Sequence, residues 1–125
     1  MIDFETIKFL SQKYQTRMDN VVREYFQHLF LSFLYNQKES ENLYFKGGTA
    51  LKIIYHSPRF SEDLDFSASK NISLSQIEDL FLETLKKMNE VGVAVNLQES
   101  KKTSGGYSGI FSYEMYDFLG KIQVE

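Results

Sequence analysis

The chain has 125 residues, one proline, no cysteine and no tryptophan, and its apolar and aromatic content (42% and 15%) is that of a folded domain. Lacking cysteine, it has neither disulfides nor thiolate metal sites; no apolar run reaches the roughly 18 residues that span a bilayer, and MIDFETIKFL has no secretory n-region. The net charge of −3 gives no global basic footprint for nucleic acid, but residues 1–60 balance at +2 and residues 61–125 at −5. A cytoplasmic protein is the expectation, with an acidic half that is either a solvated surface or a gathering of carboxylates around a cation.

Phe4, Ile7, Leu10 and Tyr14 recur at spacings of three and four, which predicts a helix over 3–14 capped by Asp3. Val22, Tyr25, Phe26, Leu29, Phe30, Phe33 and Leu34 predict a second, well-buried helix over 17–36, beginning near Asp19. The polar stretch 36–42 reads as a loop. LYFK at 43–46 reads as a short strand closed by Gly47-Gly48, and a helix starts at those glycines and stops before Pro58. DLDFS at 63–67 alternates as a strand does. Residues 74–90 have helical spacing, with Leu74, Ile77, Leu80 or Phe81, Leu85 and Met88 facing in. Strands are expected over 91–98, 110–116 and 121–125, with SGGYSG at 104–109 as a loop and DFLG joining the last two strands.

Two devices stand close together in residues 46–66. Gly47-Gly48-Thr49 lies at a strand-to-helix junction, where glycine lets backbone approach a ligand and the first free N–H groups favour phosphate. Asp63 and Asp65, at i and i+2 on a strand, share one face. Two carboxylates so placed repel unless a divalent cation joins them, and hard oxygens suit Mg²⁺ or Mn²⁺. Alone, a Gly-Gly pair is commonly just a turn and Asp-x-Asp just an exposed strand. Together they are what nucleotide transfer needs, since a metal bridges the triphosphate and the glycine turn holds its phosphates. Neither G-x-x-x-x-G-K-[ST] nor G-x-G-x-x-G is present.

KGGTAL followed by RFSEDLDFS resembles the nucleotidyltransferase toxins of the AbiEii/AbiGii type, within the DNA polymerase β-like nucleotidyltransferase superfamily. The resemblance is densest over 44–67. It implies an α/β (α+β) fold, a mixed β-sheet flanked by helices, with a helical extension over 1–40 and a catalytic module over 41–125. It implies transfer of a nucleotide from an NTP to a hydroxyl acceptor, RNA (tRNA) or protein, and an antitoxin from the same operon. Members of the family are usually longer, with a helical C-terminal half, so the chain is expected to lack its C-terminal part.

On this reading Gly47, Gly48 and Thr49 seat phosphates, and Asp63, Asp65 and Glu125 are the catalytic and metal-binding carboxylates. Arg59 and Ser61 match the family's Arg-x-Ser-x-Asp-Leu-Asp pattern, either touching phosphate or shaping the loop. Lys121 and Glu125 fall on one strand face by alternation, which offers Lys121 to the nucleotide. Lys46 reads as solvated, and His28 and His56 as structural. The rival readings are a nucleotide-holding module without turnover and a protein-interaction domain of the same fold.

Overall fold

The computed structural model describes residues 1–50 and 62–125. The calls on Arg59 and Ser61, and the end of the helix before Pro58, lie outside the described residues.

Helix α1 (Phe4–Lys13) starts where Asp3 Oδ1 accepts the Thr6 N–H at 2.7 Å. This answers one of the N–H groups that a helix start leaves unbonded. Helix α2 (Met18–Leu34) begins at Arg17, which makes no side-chain cap; Asp19 sits inside the first turn instead. The expected loop after α2 contains a 3-10 helix over Lys38–Asn42. Strand β1 (Leu43–Lys46) has the predicted bounds, and residues 47–50 are helical. Strand β2 (Asp65–Ala68) runs antiparallel to β1, with Lys46 opposite Asp65. Helix α3 (Leu74–Glu90) also has the predicted bounds. Ser73 and Gln76 close its N-terminus as a reciprocal capping box, at 2.8 and 3.1 Å.

The last three strands form an antiparallel meander, β3 (Val95–Thr103), β4 (Gly106–Met115) and β5 (Phe118–Val124). Here the sequence reading needs correction. Residues 91–94 belong to the turn that ends α3, where Gly92 takes φ +88 and Asn89 Nδ2 reaches the Val95 carbonyl at 3.0 Å. The turn-rich SGGYSG stretch contributes only Ser104 and Gly105 to the hairpin loop; the rest is β4. DFLG is mostly strand β5, and Tyr116 and Asp117 make the turn, with Tyr116 at φ +54.

The two sheets, β1-β2 and β3-β4-β5, are joined by a parallel bridge between Leu64 and Val124. Leu64 N–H donates to the Gln123 carbonyl at 2.9 Å and Glu125 N–H donates to the Leu64 carbonyl at 2.9 Å. That parallel contact gives the antiparallel sheets the mixed character expected of the fold.

One apolar core runs through the described residues. Phe26 and Phe30 of α2, Phe81 of α3 and Phe111 of β4 are each 2% exposed or less. Phe30 stacks on Phe111 at 5.2 Å between ring centroids, and Phe26 on Tyr113 at 4.5 Å. Glycines let strands press on these rings. A Cβ on Gly109 would come within 3.0 Å of the Phe81 ring, and one on Gly120 would collide with Tyr113. Leu64 and Val124, both buried, belong to the same core and fix which face of the joined sheets is covered by helices. Their neighbours at 63, 65, 123 and 125 therefore stand on the opposite face.

Candidate functional site

The site is built where β1 ends, the helical turn at 47–50 begins and the 62–65 segment passes alongside. Gly47 takes φ +86, a left-handed conformation that suits glycine. Its bare Cα lies against Asp65: a Cβ there would be 2.7 Å from Asp65 Oδ2. Thr49 is 1% exposed and its hydroxyl donates to the Asp63 carbonyl. The Gly-Gly-Thr turn and the two aspartates are therefore one construction. The turn packs its glycine on one carboxylate and ties down the backbone of the other. The Thr49 side chain is spent on this tie.

Asp63 and Asp65 flank the fully buried Leu64 and are both partly exposed; Asp65 opens β2, whereas Asp63, expected within the strand, lies just before it. Partial burial, then the charges of Asp65 and Glu62, push the Asp63 carboxyl above its ordinary range, and Arg23 opposes them. Two like charges held this close are suited to a divalent cation. Carboxylate oxygens are the hard donors that Mg²⁺ or Mn²⁺ prefers, and a pair leaves the remaining positions to water and phosphate.

Arg23 is the residue that sequence reasoning missed. It lies on α2, 40 positions before Asp63, among aromatics read only as core. Its Nη1 is 3.7 Å from Glu62 Oε1 and 3.4 Å from Asn20 Oδ1, and its buried Nε has no hydrogen-bond partner among the described residues. Gln27, one helical turn on, is 2% exposed and donates to the Glu62 carbonyl at 3.2 Å. Thus α2 grips the segment entering the aspartates through two polar side chains. A polar pair at i and i+4 on an otherwise apolar stripe was the available signal.

Glu125 lies on the same face as the aspartates, beside Asp65 in the parallel register. Its backbone is tied into the strand pairing on both sides. Its N–H donates to Leu64, and its carbonyl accepts the Phe66 N–H at 2.8 Å. The exposed carboxylate accepts from the Gln123 side-chain amide. No group of three acidic or histidine side chains is gathered for a metal among the described residues. Lys121 is exposed on that face of β5, opposite Ser112, and roughly 13 Å along the strand from Glu125. Gly48 is exposed at the mouth of the turn.

No helix among the described residues is long and apolar enough to cross a membrane. No curated protein and no solved structure matches the chain. A family model described as "Nucleotidyl transferase AbiEii toxin, Type IV TA system" matches residues 29–125, from the middle of α2 through the aspartate pair to the last residue of β5's line. With most of its length inside that match, the chain belongs to the AbiEii nucleotidyl transferase toxin family of type IV toxin–antitoxin systems.

Proposed function

We propose that the chain carries the nucleotide end of a metal-dependent nucleotidyl transfer. The observation that supports this most directly is the contact of the Gly47 backbone with the Asp65 carboxylate. It sets the backbone of a glycine turn beside a carboxylate pair, so phosphates and a cation would share one place. Gly47 and Gly48 would let the phosphates approach the backbone, and the N–H of Thr49 would bind them. Asp63 and Asp65 would hold Mg²⁺ or Mn²⁺, with Glu125 as a third carboxylate from the adjacent strand. When bound, the cation supplies charge neutralisation on the phosphates and a more acidic acceptor hydroxyl. In the transfer, the acceptor oxygen bonds to the α-phosphorus and the bond to pyrophosphate breaks. RNA is the acceptor proposed, and Arg59, Ser61 and Lys121 are proposed phosphate contacts. As a member of a toxin–antitoxin family the chain implies an antitoxin partner; a cytoplasmic site of action is proposed with it.

Nucleotide holding without turnover is the second reading. The pairing of Glu125 with Gln123, away from a gathered three-carboxylate cluster, favours it.

The deciding experiment incubates the chain with each labelled NTP, Mg²⁺ and total RNA. Labelled RNA with pyrophosphate release supports transfer, whereas NTP binding without either product supports holding. Calorimetric titration of Asp65→Asn tests the site itself. A folded variant with unchanged Mg²⁺–NTP affinity would falsify the assignment.

A further inference from the structure

Asp63 and Asp65 are held by different means. Asp65 sits in the β1–β2 ladder opposite Lys46, whereas Asp63 precedes β2 and has no ladder partner among the described residues. Two buried side chains take the place of the ladder. Gln27 of α2, 2% exposed, donates from Nε2 to the Glu62 carbonyl at 3.2 Å. Thr49 of the glycine turn, 1% exposed, donates its hydroxyl to the Asp63 carbonyl. The carbonyls of residues 62 and 63 belong to the two peptide planes on either side of the Asp63 Cα. Each plane is rigid, so fixing both fixes the two soft dihedrals of Asp63 and with them the direction of its side chain. Arg23, one turn earlier on α2, adds Nη1 at 3.7 Å from Glu62 Oε1. A glutamine buried in an apolar helix face costs stability unless it is bonded. Leucine or methionine would pack there without that cost, so packing alone does not account for Gln27.

We propose that Gln27 is a positioning residue of the cation site: with Thr49 it clamps the two peptide planes around Asp63 and so aims that carboxylate at the cation shared with Asp65. The inference rests on the reading of Asp63 and Asp65 as cation ligands. It goes beyond that reading by giving α2 a part in the site. Gln27 and Arg23 both precede residue 29, where the family match begins, so the match does not describe this half of the clamp. Partners that orient a metal ligand without touching the metal set its affinity strongly, because a carboxylate free to turn must be ordered each time the cation binds. The clamp removes that ordering cost in advance. Its two ends come from α2 and from the glycine turn, so the helix layer and the turn are joined through the main chain of one aspartate.

The test measures binding of Mn²⁺ alone, by water-proton relaxation, and amide exchange in the metal-free chain. Gln27→Met keeps the length of the side chain and removes its donor; Thr49→Val keeps the shape and removes the hydroxyl. Each should weaken Mn²⁺ binding by about tenfold or more. Each should also speed exchange of the Leu64 amide, which follows the clamped planes, while amides inside β4 keep their protection. The double variant should lose less than the product of the two single losses, because either change frees the same carboxylate. Should one variant fail to fold, the other carries the test from the opposite end of the clamp. Val22→Ala, fully buried on the same helix, should lower the melting temperature yet leave Mn²⁺ affinity unchanged. Wild-type affinity in folded Gln27→Met or Thr49→Val, unchanged exchange at Leu64, or an equal loss of affinity in Val22→Ala would each overturn the proposal. Asp65→Asn separates it from the reading beneath it. If that variant keeps wild-type Mn²⁺ affinity, the cation site itself falls and the clamp's role with it; if it loses affinity and the clamp variants do not, the clamp alone falls.

Discussion

The aromatic core and the aspartate site lie back to back on the same strands, and they are built on opposite terms. The core face carries Leu64, Phe111, Ile122 and Val124, each 7% exposed or less, under stacked rings from α2. The site face, one residue over, carries Asp63, Asp65, Gln123 and Glu125. The core face lowers the free energy of the fold through area removed from water. The site face holds like charges together, and partial burial first, then those neighbouring charges, push the Asp63 carboxyl upward. A protein does not place such a pair for stability; the rigid face beneath holds it in place.

The sharpest way to break the comparison is on the core side. Phe111→Ala should cost about 3–5 kcal/mol, because Phe111 is fully buried and stacks on Phe30. Chemical denaturation measures it, and a loss below about 1 kcal/mol would mean the stack is not central to the fold.

Gly47→Ala acts where the two faces meet. The new Cβ would need a left-handed backbone and would strike the Asp65 carboxylate. A stability loss of about 1–3 kcal/mol is expected, with weaker Mg²⁺–NTP binding by calorimetry. A variant as stable as the parent would show that the turn relaxes freely.

On the scaffold, away from both, Ser73→Ala removes the hydroxyl half of the capping box on α3. The expected loss is about 1 kcal/mol with nucleotide affinity unchanged. An altered affinity would couple α3 to the site and blur the division between the faces.

The smallest effect lies in pH dependence. The folded-state pKa of Asp63 is raised, so the folded chain holds its proton more tightly than the unfolded one. Stability contributed by this group is present at low pH and is lost as pH climbs past about 3.8, the ordinary value, through the raised one. The charge of Asp65 is the second cause of the shift, after burial. Asp65→Asn should therefore flatten the decline in melting temperature across that window and slightly favour the metal-free fold. A steeper decline in the variant would contradict the repulsion.

Much of this was legible because it is local. Helix α3 follows from one unbroken periodic stretch behind a Ser-x-x-Gln cap, and β1 from four residues stopped by glycines. The pairing of the glycine turn with Asp-x-Asp was legible as well, since both lie within twenty residues. The errors came where local pattern and tertiary demand disagree. VGVAV alternates like a strand, yet Gly92 takes a left-handed turn and β3 starts only at Val95. SGGYSG has the composition of a loop. Its second half is strand all the same, because Tyr107 packs beside Phe81 and a bare Gly109 lets that ring approach. In DFLG, the glycine that signals a turn is the space Tyr113 occupies.

The sequence by itself determined the helices, the short strand and the family motif, all of which depend on spacing along the chain. Only the tertiary structure decided that Arg23 and Gln27 reach the aspartate segment, that Thr49 is turned inward to Asp63, and that β5 lies parallel to Leu64. The physical reason is that these are contacts between segments far apart in sequence. Each is selected by which faces the shared core covers, and spacing along one segment carries no record of that choice.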